Sequence, residues 1–362
     1  TPGITLFPYT TLFRSIKAAV FEDVKQLEVK EIDRPVIRPD EVLVKLKACA
    51  LCTWEQRVYV GVNKVHFPFI GGHEESGIIV EAGDEIDSDL WQIGDRVVVG
   101  LLTSCGHCEN CRTGHEGSCT NFSYENRVGG LNIRGMGGLA EYVAVPVTKL
   151  FPIADNLSYE EASLTEPLSC VVHSLDTAEV ALGDNIVVIG AGIMGAFHAL
   201  LARQRGARVI ISEPNQKRRA FMAQLGFHEL IDPKAENPVV AVKQMTQDKG
   251  ADVVFDTLPI SSIAEQAVQM AAIRGRVILY SSFHPDTPVA ITPHTLHRRM
   301  TKLMGSANSD SSDFFKAMKL LNNGNIDVKP FIAGTVPLAK ITEGMQQALN
   351  PEAYRIIVQM NR

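Results

Sequence analysis

The run Asn185-Ile186-Val187-Val188-Ile189-Gly190-Ala191-Gly192-Ile193-Met194-Gly195 decides how the chain is read. Its first half is apolar and β-branched, as in a strand buried on both faces, and G-x-G-x-x-G follows without a gap. Alone, that glycine spacing is a weak signal; its surroundings strengthen it. A helical pattern opens at once over Ala196–Gln204, and the next apolar strand, Val209–Ser212, runs into an acid, Glu213, 23 residues beyond Gly190. Gly190 permits the tight turn, Gly192 lets the backbone approach a pyrophosphate, and Gly195 lets helix and strand pack closely. The amides of Ile193 and Met194 then face the phosphates at a helix N-terminus. Glu213 is placed to accept hydrogen bonds from the adenosine ribose, which favours NAD over NADP, because a 2′-phosphate would meet a like charge. Arg218 complicates this: it can soften the repulsion, stack on adenine or pair with Glu213.

Downstream, the apolar strands Val253–Asp256 and Val277–Tyr280 alternate with helices such as Gln216–Leu225. Continuous apolar strands with helical crossovers specify a parallel, doubly wound α/β sheet. Upstream, residues 16 to about 150 are rich in valine runs separated by Gly and Pro, the pattern of a twisted antiparallel β domain. Between the two, Ser158 caps an amphipathic helix, with Glu160 and Glu161 in its first turn, expected to run through the 160s and 170s. The last fifty residues read as a helix (Asp313–Leu321), a strand (Val328–Ile332), a helix near Ile341–Leu349 and a final strand, Tyr354–Gln359.

A length of 362 residues suits two domains. A net charge of −6, with no basic run longer than Lys217-Arg218-Arg219, argues against a nucleic-acid or anionic-membrane partner. No apolar run reaches membrane-spanning length. Residues 1–15 lack the basic leader and continuous apolar stretch of a signal peptide, and they read as an appendage outside the fold.

Four of the seven cysteines form Cys105-x2-Cys108-x2-Cys111-x7-Cys119. In a reducing compartment such clustering means metal, which makes the cytoplasm the expected location. Four thiolates at this spacing close a tetrahedron around zinc and leave no position for water, so the site is structural. An iron–sulfur cluster fits the count but lacks the usual distant fourth ligand. His107 and His115, between the ligands, read as solvent-facing. Elsewhere Cys52 follows a strand, and Gly71-Gly72-His73-Glu74 presents an imidazole and a carboxylate on a turn. Taken singly, these are an ordinary thiol and an ordinary loop histidine.

Together the segments resemble the zinc-containing medium-chain dehydrogenase/reductase family, and most nearly its sorbitol (polyol) and threonine dehydrogenases. The blocks that carry the resemblance include Lys47-Ala48-Cys49-Ala50-Leu51-Cys52, Gly72-His73-Glu74, Gly94-Asp95-Arg96-Val97, the four-cysteine loop, Gly137-Gly138-Leu139-Ala140-Glu141-Tyr142, Glu166-Pro167-Leu168-Ser169 and the glycine turn. The resemblance implies a β-rich, GroES-like catalytic domain of residues 16–164 and 308–362 around a Rossmann domain of 165–307. It implies a catalytic zinc on Cys52, His73 and Glu74 and/or Glu166, beside the structural zinc. It also implies NAD-dependent oxidation of a secondary hydroxyl in a polyol, sugar derivative or amino alcohol, by a homo-oligomer (dimer or tetramer). Cys170, one turn after Glu166, reads as a buried structural thiol.

This sequence departs from the family after the ligand Cys. The hydroxyl that usually starts the proton relay is replaced by Trp54, its histidine by Arg57 and its Asp by Glu55, while Glu75 replaces an aromatic. Thr53, Glu55 or water then carries the proton, and Trp54 either walls the substrate pocket or packs into the core. A threonine-dehydrogenase-like enzyme, or a non-catalytic NAD-binding protein that keeps the fold and the structural zinc, is the alternative.

Overall fold

Alternation of apolar strands with helices in the second half of the chain produces a six-stranded parallel sheet. The computed structural model describes residues 14–101 and 103–360. Two units divide the described residues: those of 14–108, 120–165 and 328–360 form the first, and 109–119 with 166–327 form the second.

In the second unit the strand order is Leu230–Ile231, Arg208–Ser212, Asn185–Ile189, Ala251–Asp256, Ala271–Leu279 and Lys302–Gly305. Asn185–Ile189 is central, with Ile186 level with Val209 on one side and with Val253 on the other. Chain progression reverses here, so the crevice beyond Ile189 and Asp256 is the switch point at which open α/β sheets bind ligands. Val187, Val188, Ile210, Val254 and Phe255 are fully buried, which explains the lack of polar alternation in these strands.

In the first unit, the strand Glu41–Ala50 anchors a seven-stranded sheet. It pairs with Glu75–Ala82, with Tyr142–Pro146 and with the C-terminal strand Arg355–Gln359. Ile357 lies opposite Ala50, which brings the end of the chain beside the segment leading into Cys52. A four-stranded sheet, Gln26–Asp33, Ser15–Asp23, Phe69–Ile70 and Arg134–Gly135, completes the unit.

Four expectations change; the strand expected over Val328–Ile332 lies instead at Ile332–Pro337, after the 3-10 turn Lys329–Phe331. The helix capped by Ser158 ends at Ala162 after a capping box with Glu161, and a second helix, Thr165–Thr177, follows. The cause is local: Ser163 and Thr165 turn their hydroxyls back onto the carbonyls of Glu160 and Ala162, an alternative to continuous helix. Residues 308–327 group with the nucleotide-type sheet, not with the β-rich unit. There, Asp310 caps the helix Ser311–Asn322, and the cysteine-loop residue Glu116 accepts from both the amide and the hydroxyl of Ser311 (3.1 and 3.0 Å). Asp310 in turn accepts the Gly117 amide, and Asp313 pairs with His173 at 2.8 Å, so loop and helix cap one another. Lastly, Ser15 already belongs to the first strand, and residues 1–13 of the expected appendage lie outside the described residues. Among the described residues no helix is long and apolar enough to cross a membrane.

Candidate active site

Cys52 ends the approach from the strand Glu41–Ala50 and occupies the N-cap position of the helix Thr53–Tyr59. Gly71 and Gly72 deliver His73 and Glu74 beside it. Gly72 has φ +92°, and a Cβ there would lie 2.6 Å from the backbone of Gly138, so only glycine fits this turn. One donor atom each from Cys52, His73 and Glu74 lies within 4.8 Å of the others. A thiol, an imidazole and a carboxylate so grouped suit zinc.

Two further side chains organise the group. Glu55 Oε1 accepts from the Gly72 amide and from His73 Nδ1, both at 3.0 Å. Because a carboxylate only accepts, Nδ1 carries a proton and Nε2 is left for a metal. Burial disfavours the imidazolium, but Glu55 and Cys52 together raise His73 well above the ordinary histidine value, so a metal would bind Nε2 by displacing its proton. Glu55 is therefore committed to His73 and is a poor proton carrier. Arg355 forks onto Glu74, Nη2 to Oε1 at 2.7 Å and Nε to Oε2 at 3.1 Å, and its Nη2 lies 3.6 Å from Cys52 Sγ. Both partners are buried. Burial, and then the Glu74 charge, raise the Cys52 thiol, against the pull of Arg355.

Sequence reasoning missed Arg355. Its one signal is a cation at the head of the apolar run Arg355-Ile356-Ile357-Val358, where burial demands a counter-charge. Thr53 is exposed on the first turn of its helix. Trp54 is half-buried, edge-on to His73 with centroids 6.5 Å apart.

In the four-cysteine loop one Sγ from each of Cys105, Cys108, Cys111 and Cys119 lies within 4.8 Å of the rest. Cys105 Sγ accepts from the amides of His107 and Cys108 (3.4 Å each) and from Asn121 Nδ2 (3.3 Å), contacts that favour a thiolate. The loop fits a tetrahedral ion. His107 is solvent-facing as expected, whereas His115, though exposed, reaches Asp310 at 3.4 Å.

In the second unit Gly190 has φ +96°, and a Cβ on Gly195 would meet the Gly190 carbonyl at 2.0 Å. Gly192 is the N-cap of Ile193–Gln204, so the Ile193 and Met194 amides open that helix. Glu213 is buried, with Oε2 on the Ala191 amide and Oε1 on the Asn215 amide, both at 2.7 Å. It braces the glycine turn as well as ending its strand. Arg218 Nη1 stands 3.9 Å from Glu213 Oε2, and 3.8 Å from where a Gly192 Cβ would be. Glu166 opens the helix Thr165–Thr177 and accepts from the buried Cys170 thiol at 3.3 Å. The donor group of the first unit contains Cys52, His73 and Glu74; Glu166 belongs to the second.

Comparison with known proteins fits this geometry. Residues 38–155 match the alcohol dehydrogenase GroES-like domain, and residues 194–323 match the zinc-binding dehydrogenase domain. L-threonine 3-dehydrogenase of Caldanaerobacter subterraneus subsp. tengcongensis is 31% identical over 336 residues, 91% of this chain and 93% of the relative. The chain belongs to the zinc-containing medium-chain dehydrogenase family. Another relative of this dehydrogenase is 2-dehydro-3-deoxy-L-galactonate 5-dehydrogenase of Pseudoalteromonas atlantica, 29% identical over 89% of this chain and 92% of the relative. A zinc-binding dehydrogenase from Sinorhizobium meliloti, solved with NADP bound, superposes with a TM-score of 0.87 at 27% identity, covering 96% of this chain and 99% of that one. As a family member the protein is an oxidoreductase acting on alcohol groups, with zinc and a nicotinamide cofactor.

One buried residue lies apart from this chemistry. His198 donates from Nδ1 to the Met194 carbonyl (2.7 Å), accepts at Nε2 from the Ser174 hydroxyl (2.9 Å), and packs on Phe255 and Tyr280. Burial lowers its pKa from 6.5 to about 4. A depressed histidine stabilises fully above the unfolded value and loses that contribution as pH falls from 6.5 towards 4, ~3 kcal/mol in all. Urea unfolding of the dehydrogenase at pH 7 and pH 5 should show about 2 kcal/mol of this loss, and His198→Leu should flatten it. An unchanged slope in the variant would refute the assignment.

Proposed function

We propose that this dehydrogenase oxidises a secondary hydroxyl of a polyol, sugar acid or amino alcohol with NAD, using one catalytic and one structural zinc. The observation that carries the reading is the grouping of Cys52, His73 and Glu74, with His73 oriented by Glu55 and Glu74 held by Arg355. Its curated relatives, a threonine and a sugar-acid dehydrogenase by name, support the substrate range. Cys52 and His73 would hold the catalytic metal with a carboxylate. That carboxylate is Glu74, which keeps lone pairs beside its two bonds to Arg355, or Glu166, the family's alternative. Cys105, Cys108, Cys111 and Cys119 would hold the second ion.

Zinc held there would supply Lewis-acid activation of the substrate hydroxyl, and a bound oxidised nicotinamide would supply the hydride acceptor. The substrate C–H bond breaks as the C=O bond forms, and the hydroxyl proton leaves to solvent. Glu55 fixes the imidazole, Arg355 fixes the carboxylate, and the aromatic ring of Trp54 limits water on that side. Trp54 can only donate and cannot pass a proton on. Exit therefore runs by water or the exposed Thr53 hydroxyl. The enzyme is proposed to act as a homo-oligomer in the cytoplasm; the location is supported by the four clustered cysteines, whose spacing is that of a metal loop in a reducing compartment.

The test is metal analysis with a substrate screen: two zinc ions per chain, and NAD reduction with polyols, sugar acids or amino alcohols. One zinc and no turnover would instead support a non-catalytic NAD-binding protein. For the cofactor, Glu213→Gln is expected to lower the NAD:NADP preference by about tenfold, through loss of charge against a 2′-phosphate. Steady-state kinetics with both cofactors measures it, and a parent enzyme that already prefers NADP contradicts the assignment.

A further inference from the structure

Beside the metal ligands of the first unit runs a wall of aromatic rings. Trp54 stands edge-on to His73, and Tyr124 lies against Trp54 with centroids 4.4 Å apart and planes tilted by 38°. Phe122 meets Tyr124 edge to face at 4.7 Å, and the buried Phe69 backs Trp54 at 5.7 Å. Trp54, Tyr124 and Phe122 are all half-buried, so one apolar strip leads away from the imidazole and keeps part of its surface accessible. The loop that carries it is fixed. Glu125 accepts from the His66 amide at 3.1 Å and pairs with Arg134 at 2.9 Å, while Asn63 donates to the Trp54 carbonyl. The wall is therefore preorganised.

Hydroxyl groups alone would not call for such a surface next to a site for alcohols. The polarised C–H bonds on one face of a saturated ring do, since the aromatic face carries negative charge density. An open-chain polyol with the same hydroxyls must freeze several torsions to present an equivalent face, which weakens its binding.

We propose that the wall of Trp54, Tyr124 and Phe122 selects a cyclic polyhydroxylated substrate, a cyclitol or sugar ring, over an open-chain polyol. This deepens the dehydrogenase reading above and rests on it. The reaction is unchanged: a ring CH–OH loses hydride to the oxidised nicotinamide and a proton to solvent, giving a ring ketone.

The experiment compares inositol stereoisomers with hexitols, which also carry six hydroxylated carbons, using the zinc-loaded full chain and NAD. The best cyclitol is expected to exceed the best hexitol in kcat/KM by about tenfold. Tyr124→Leu should reduce that ratio by a similar factor, mostly through KM for the cyclitol, and Tyr124→Phe, which keeps the ring, should preserve it. Melting temperatures check the fold; if Tyr124→Leu unfolds, Phe122→Leu at the outer end of the wall gives the same readout. A preference for hexitols, a ratio unmoved by loss of the ring, or turnover confined to amino alcohols each overturns the proposal and leaves the dehydrogenase reading standing. Two bound zinc ions without turnover of any alcohol would overturn both.

Discussion

Replacing Cys52 with alanine is expected to leave one zinc per chain and to slow alcohol oxidation by ~10³–10⁵-fold, the kinetic equivalent of several kcal/mol of Lewis-acid stabilisation. The thiol is the softest donor of its group, and the remaining carboxylate, Glu74, is tied to Arg355. Without the thiol, His73 and a carboxylate make only a weak site. The four-cysteine loop has its own complete donor set and its own N–H···S contacts, so its metal and the melting temperature should survive the change. A mild chelator should imitate the variant, removing the ion with an open coordination position first. Metal analysis beside a thermal melt decides it. Loss of both ions together, with unfolding, would show that the two sites do not have separate roles.

Arg355→Leu is expected to cost the protein ~3–5 kcal/mol, because it strands the Glu74 carboxylate in a fully buried position. Arg355→Lys should recover only part of this, since an ammonium cannot reproduce the two-pronged contact. Glu74→Gln in the Arg355→Leu background removes the orphan charge and should restore much of the stability, though not activity. Urea midpoints for the four proteins supply the comparison. A loss below about 1 kcal/mol, within the range of an exposed ion pair, would rule out the buried reading.

What could be read from the chain without coordinates was local. The glycine turn is contained in eleven residues and the structural metal loop in fifteen, and each obeys a steric or coordination rule expressible as spacing. The catalytic donor set was legible only through family resemblance, because Cys52 and His73 are separated by strand pairing that no spacing encodes. Their supports were less visible still. Glu55 reaches His73 from the first turn of a helix, and Arg355 arrives from a strand 281 residues after Glu74. Glu55 looked like a substitute proton carrier by position; hydrogen bonding gives it a different task. The break between Ala162 and Thr165 escaped notice because the apolar periodicity continues across it, while the hydroxyls that interrupt the helix are common on helix surfaces. The grouping of residues 308–327 with the parallel sheet depends on capping contacts made by a loop two hundred residues earlier, and a linear reading assigns them to whichever domain follows.

That reciprocal capping between the cysteine loop and the helix Ser311–Asn322 has a consequence for biosynthesis. Glu116 and Ser311 are separated by 195 residues. At ~5–20 residues per second, a ribosome needs roughly 10–40 s to make the second after the first. Throughout that interval the nascent loop has no helix end to dock against, and an ion is its one cross-link. At this loop metal scarcity would then be felt during translation, when four uncoordinated thiols are open to oxidation or mispairing, and much less once the loop has docked. Yield of intact protein, and not specific activity alone, should track zinc supply in the growing cell.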